Sequence, residues 1–286
     1  MKTTFVLLVV CLVTTIGSMA YAQVQQAESW RTQKMRLYDS KFPKKLDAHG
    51  NIEGNTSNLG AGQRLPGKVS ILILCNGRDA IEAKDSPIAK ALANIIDVEL
   101  LDGLPALDDF KKEIYDSSQL WIWAGNEKGC LPPSYSEAIL ERFRVGKLAL
   151  MLLADNAPYL QGVNDLLTEL TGCTLEGDYV GDQIISGSES GPGFESGHAI
   201  FQAIGNLYEG ITVSHIASTT KADNLEVVAR NSEGLPLIGV MKPQVNQGRM
   251  VVTCGFTSLF RRYFEKSAGA ERFCLNVCAF LAGVDK

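Results

Sequence analysis

The sequence predicts an α/β domain on a doubly wound, mostly parallel sheet, with an antiparallel strand extension toward the C-terminus. Three observations carry that expectation. Short, almost continuous apolar runs recur between residues 69 and 154, as strands covered on both faces require. Each is followed by apolar residues at helical spacing, and with short connections right-handed crossovers place such helices on both faces of a parallel sheet. Beyond residue 212, closely spaced strand-like runs replace that alternation.

The elements follow in order. Residues 69–74 (VSILIL) form a first buried strand ending at Cys75-Asn76-Gly77. In residues 86–95, Ile88, Leu92 and Ile95 share a helical face, with Ser86 as N-cap and Pro87 at the first helical position. A second strand spans 97–101, and 105–115 is a helix with Leu107, Phe110 and Ile114 on one side. Strand 120–124 carries Trp121 and Trp123 at alternate positions, which places both under a helix as core. A helix at 135–144, the most apolar strand at 148–154 and a helix at 163–171 complete the alternation. Residues 177–197 read as loop, with 186–193 (SGSESGPG) a connector or lid. Strands at 212–216, 225–230, 237–242 and 249–254 are expected to extend the sheet in antiparallel fashion, and a helix at about 271–281 closes the chain.

Ahead of this domain, residues 1–22 have the form of a signal peptide. Lys2 supplies the positive start, residues 5–16 an apolar stretch too short to span a bilayer, and Ala20-Tyr21-Ala22 a small-x-small cleavage site. The mature chain is then expected to begin near Gln23, in a secreted or periplasmic setting, and to be soluble, with no membrane span. Residues 23–67 form a polar arm or linker, and residues 68–286 the α/β domain. Asn55-Thr56-Ser57 in the arm fits an N-glycosylation acceptor.

Composition narrows the function classes. The apolar content of 45% suits a globular core, and a net charge of −5 without a sustained Lys/Arg cluster argues against nucleic acid. Six cysteines follow the leader. Cys75, Cys254, Cys274 and Cys278 sit in apolar runs as candidate buried thiols, whereas Cys130 and Cys173 lie in loops and are the first choice for a disulfide. No Cys/His spacing suits zinc, and neither a metal nor a cofactor is expected.

Ligands of open parallel sheets bind beyond the carboxyl ends of the strands. The polar residues reaching that edge are Asn76 and Asp79 after the first strand, Asn126 and Glu127 after the third, and Asp155 and Asn156 after the fourth, although turns select the same residue types. His198 and His215 are the histidines that could complete a catalytic group with Asp155.

The strand at 148–154 entering a sharp turn, the segments 198–205 (HAIFQAIG) and 210–213 (GITV), and the ending 248–258 (GRMVVTCGFTS) with 272–283 (RFCLNVCAFLAG) together resemble the class I glutamine amidotransferase-like superfamily. The likeness is to its non-amidotransferase branches, such as trehalose-utilisation-like and gliding-motility-like domains, and implies a flavodoxin-like sheet. Amidotransferase members place a nucleophilic Cys at the turn after the fourth strand. This chain has Asp155-Asn156 there, so glutamine hydrolysis is not expected. Two expectations remain: a non-catalytic binding or assembly module for a small polar ligand or a protein partner, or a hydrolase of a small polar or carbohydrate-like substrate using Asp155 with His198 or His215.

Overall fold

The computed structural model describes residues 64–188, 191–217, 224–241, 244–264 and 269–284. All belong to one of the chain's two compact units, Leu46–Lys286. The leader, nearly all of the polar arm and Asn55 lie outside the described residues.

The first strand is β1 (Lys68–Ile73), followed by α1 (Gly77–Lys84), α2 (Ile88–Ala93) and β2 (Asp97–Asp102). Next come α3 (Leu107–Asp116), β3 (Gln119–Trp123), α4 (Pro133–Arg144), β4 (Ala149–Leu153) and α5 (Val163–Thr171). Of the stripe expected on α3, Phe110 and Ile114 are buried and Leu107 is half-buried; α4 buries Ile139 and Phe143, and α5 Leu166, Leu167 and Leu170. Gly172, in a left-handed conformation, ends α5 and donates its amide to the Thr168 carbonyl. Then follow β5 (Thr174–Val180), β6 (Ile184–Ser186), β7 (Gly193–Phe194), β8 (Asn206–Tyr208), β9 (Thr212–Ala217), β10 (Leu225–Arg230), β11 (Pro236–Met241) and β12 (Met250–Thr253). The short α6 (Arg261–Phe264) and α7 (Ala270–Leu281) complete the chain.

The central sheet has eight strands in the order β2-β1-β3-β4-β12-β11-β10-β7. The first five are parallel, and β11, β10 and β7 add an antiparallel edge. This mostly parallel, doubly wound arrangement is the fold class expected from sequence. Its parallel part has the flavodoxin-like strand order, which reverses between β1 and β3. Register aligns the strand ends: Ile73 lies beside Trp123, Trp123 beside Leu153, and Leu153 beside Thr253. All the following loops therefore emerge on one rim.

The structure revises several expectations. β12 is parallel to β4, because it is antiparallel to β11, itself reversed; spacing in a sequence carries no strand direction. β9 leaves the main sheet to pair with β5, and β6 pairs with β8. These small sheets replace part of the expected loop at 177–197, where alternating exposure along β5 had left no continuous apolar run. Helix α1 was not expected, since only Ala80 and Ala83 of its residues are buried. Helix α2 begins at Ile88 rather than Pro87, with Pro87 instead of Ser86 at the N-cap. The Ser86 hydroxyl still accepts from the Ile88 amide at 3.4 Å while donating to the Leu259 carbonyl at 2.6 Å.

Cys130 and Cys173 do not form the expected bridge; both are free. The Cys130 sulfur sits over Gly125, where an added Cβ would approach it to 2.4 Å, and Cys173 is buried after α5. Cys75, Cys254, Cys274 and Cys278 are buried thiols as anticipated. Burial pushes Cys75, Cys254 and Cys278 up to about 12, and Cys274 further. Trp121 and Trp123 are buried as expected, the latter stacked on Phe260 at 5.7 Å between centroids.

Candidate functional site

Asp155 follows β4 at the common rim and is 0% exposed. Its Oδ1 accepts from the Thr212 hydroxyl at 2.6 Å and from the Asn156 amide at 2.9 Å, while Oδ2 accepts from the Thr257 amide at 2.9 Å. Thr212 opens β9, and Thr257 lies in the 3-10 turn Phe256–Leu259 that follows β12. One carboxyl thus joins three segments distant in sequence. Burial, the dominant influence, pushes it up to about 7 against the pull of the Thr212, Thr257 and Asn156 donors.

Neither histidine is among those partners. His198 caps the 3-10 turn Ala199–Phe201, its Nδ1 accepting from the Ile200 amide at 3.4 Å, and its ring centroid lies 5.6 Å from that of Phe280. His215 is on β9, but three residues after Thr212 it projects from the opposite face. Its ring is edge-on to Tyr179 at 5.5 Å, with Nδ1 buried and without a hydrogen-bond partner. The structure does not assemble Asp155, His198 and His215 as one hydrogen-bonded group.

The remaining rim residues do come together. Across the β1/β3 switch point, Asn76 Nδ2 donates to Glu127 Oε1 at 2.6 Å, and Asn126 Nδ2 donates to Asn76 Oδ1 at 3.0 Å. Asn126 Oδ1 is buried without a partner. Asp79 accepts from the Tyr159 hydroxyl at 2.6 Å; that hydrogen bond, with burial, pushes the phenol up to about 12. Asn156 donates to Asp178 Oδ1 at 2.7 Å. Sequence reasoning named Asn76, Asp79, Asn126, Glu127, Asp155 and Asn156, but missed Tyr159 as the partner of Asp79, Asp178 as that of Asn156, and Thr212 and Thr257 as those of Asp155. A threonine at a strand start carries no signal of the carboxyl it will meet.

Close backbone approach locks this corner. A Cβ at Gly255 would lie 1.9 Å from the Glu209 carbonyl oxygen, and one at Gly181 2.5 Å from that of Gly210. Glu209 is itself buried, accepting from the Ser232 amide at 2.7 Å and its hydroxyl at 2.8 Å, and burial raises its carboxyl above the ordinary range. Among the described residues no group of three or more His, Cys, Asp or Glu is placed to hold a metal ion, and no helix is long and apolar enough to cross a membrane.

No protein-family model matches this chain, and no curated protein matches it. Solved structures do. The chain is similar to the mmIFT52 N-terminal domain at 13% identity and a TM-score of 0.55, over 75% of this chain and 96% of that one. It is also similar to a ThuA-like protein of Bacteroides uniformis at 9% identity and a TM-score of 0.50, over 78% and 94%. A GMP synthase subunit from Thermoplasma acidophilum matches at 11% identity and a TM-score of 0.47, over 76% and 92%. At such identities the likeness is one of fold, and the fold is the mixed α/β, amidotransferase-like one expected from sequence.

Proposed function

We propose that this chain is a non-catalytic binding or assembly module on an amidotransferase-like fold, acting outside the cytosol. The observation that carries the reading is the state of Asp155. At the turn where the resembling enzymes keep a nucleophile, this carboxyl is enclosed, bonded to three segments, and separate from the hydrogen bonds of either histidine. A catalytic carboxylate must reach the proton it moves, directly or through one water. Asp155 instead serves as a clasp. The rim formed by Asn76, Asp79, Asn126, Glu127 and Asn156 is then the surface for a small polar ligand or a protein partner, at the switch point where such sheets bind.

The test compares the mature chain with Asp155→Ala on a panel of amide, ester and glycoside substrates, alongside denaturant unfolding. The clasp reading expects no turnover that the substitution removes, and a stability loss of at least ~2 kcal/mol, since each buried donor left unpaired costs roughly 1–3 kcal/mol. Turnover by the wild type that disappears in a stably folded variant would restore the hydrolase. Expression of the full chain from its own leader tests the location: an extracytoplasmic product beginning at Gln23 is expected, and an uncleaved cytosolic one would refute it.

A further inference from the structure

We propose that two copies of this chain join edge to edge through β2, antiparallel about a two-fold axis at Leu100, so that their central sheets become one. The contact is separate from the rim and needs no ligand there. β2 ends the central sheet on one side and, among the described residues, pairs only with β1. Five of the six β1 residues are buried, whereas all six of β2 are exposed or half-exposed, Leu100 to 39%. Edge strands that stay single are kept from pairing by prolines, lysines, bulges or shortness. β2 has none of these: its register with β1 is unbroken from Asp97 to Asp102, and it contains no proline or lysine. The opposite edge is protected, since β7 is two buried residues long and Phe194 is bridged to Gly187.

The free backbone groups select the register. Gly103 donates its amide to the Ile73 carbonyl at 3.2 Å, and Ile73 is level with Asp102. Alternate residues of a strand turn both amide and carbonyl toward the same neighbour, so Glu99 and Leu101 face β1 while Val98, Leu100 and Asp102 face outward. An antiparallel ladder joins outward-facing residues to one another. Centred on Leu100, it sets Leu100 against its own copy and Val98 against Asp102 of the second copy, which uses every outward residue of both strands. A slip by two residues leaves one of them unpaired on each strand.

Charge fits the same register. Asp97 is held by Arg64 and Asp102 by Lys84, each at 2.6 Å, and among the described residues Glu99 is the acid of β2 without an ion pair. Glu99 then lies opposite Leu101 of the second copy and Asp97 opposite its Gly103, so no acid faces an acid. Each end of the ladder gathers Asp97 with Arg64 from one copy and Asp102 with Lys84 from the other, two acids with two bases. At the centre Leu100 meets Leu100, covering the apolar side chain that the single sheet leaves in water. Because the contact is isologous, it consumes both β2 edges and closes at two copies.

Sedimentation velocity on the full chain, from about 1 to 100 μM, should show a species of twice the chain mass. Leu100→Lys brings two ammonium groups together on the axis and should weaken association at least about tenfold. Leu100→Pro removes an outward amide that the single sheet does not use, and should weaken association likewise while the circular-dichroism spectrum is retained. Oxidation reads the register. Leu100→Cys should give a disulfide-linked dimer, since the facing Cα atoms would be about 5.5 Å apart, whereas Glu99→Cys, with its two copies set diagonally about 8 Å apart, should not. A monomer throughout that concentration range would overturn the proposal. So would a dimer unmoved by the Leu100 substitutions, or one cross-linked equally at both positions. Should Leu100→Pro fail to fold, Leu100→Lys and the cross-link decide.

Discussion

A single carboxyl and a single glycine illustrate how much of this rim is decided atom by atom. Asp155 was legible as a rim residue because it follows the most apolar strand, yet its role was not. Thr212 and Thr257, 57 and 102 positions away, become its donors only when β9 and the turn after β12 are in place. Gly255 is required because an added methyl group would strike the Glu209 carbonyl at 1.9 Å, backbone against backbone. Gly255→Ala should cost at least about 2 kcal/mol of unfolding free energy, as overpacking does where neither side can yield. Gly197→Ala, where no atom lies within 4 Å of the added Cβ, is the matched control and should stay within about 0.5 kcal/mol.

Between elements, the clearest electrostatic tie fastens α3 to β1 at the end of the sheet opposite the rim. Glu113 of α3 accepts from Lys68 at 2.6 Å and from the Ser70 hydroxyl, while Ser117 closes the group by meeting Ser70 at 2.6 Å. Burial alone would raise the Glu113 carboxyl, but these donors outweigh it and hold it below the ordinary glutamate range. The tie therefore stabilises the fold above that range and is lost as pH falls through the lowered value. Thermal unfolding between about pH 5 and pH 3 should show a smaller acid-induced loss for Glu113→Gln than for the wild type; equal losses would remove Glu113 from the account. Elements with a strong apolar period, such as α5 and β4, were readable to within a residue or so. Those without one were not: α1 buries only alanines, β5 alternates in exposure, β6 to β8 are only two or three residues long, and all four strands pair with partners distant in sequence.

At the scale of the whole molecule, the parallel part built from β1 to β4, which β12 joined against expectation, was legible as a class, since repeated strand-helix units allow few alternatives. Strand direction at the C-terminal end was not, because it depends on which neighbour a strand chooses. The assembled sheet places the loops after its parallel strands on one side, so a rim of Asn, Asp, Glu and Tyr arises from topology rather than from any local motif. In this chain the loop after β4 presents a closed polar clasp. The sharpest test is a double-mutant cycle on that clasp, comparing unfolding free energies of the wild type, Asp155→Ala, Thr212→Val and the double variant. The clasp predicts a coupling energy above about 1 kcal/mol, and additive effects with little loss of stability from Asp155→Ala would contradict it.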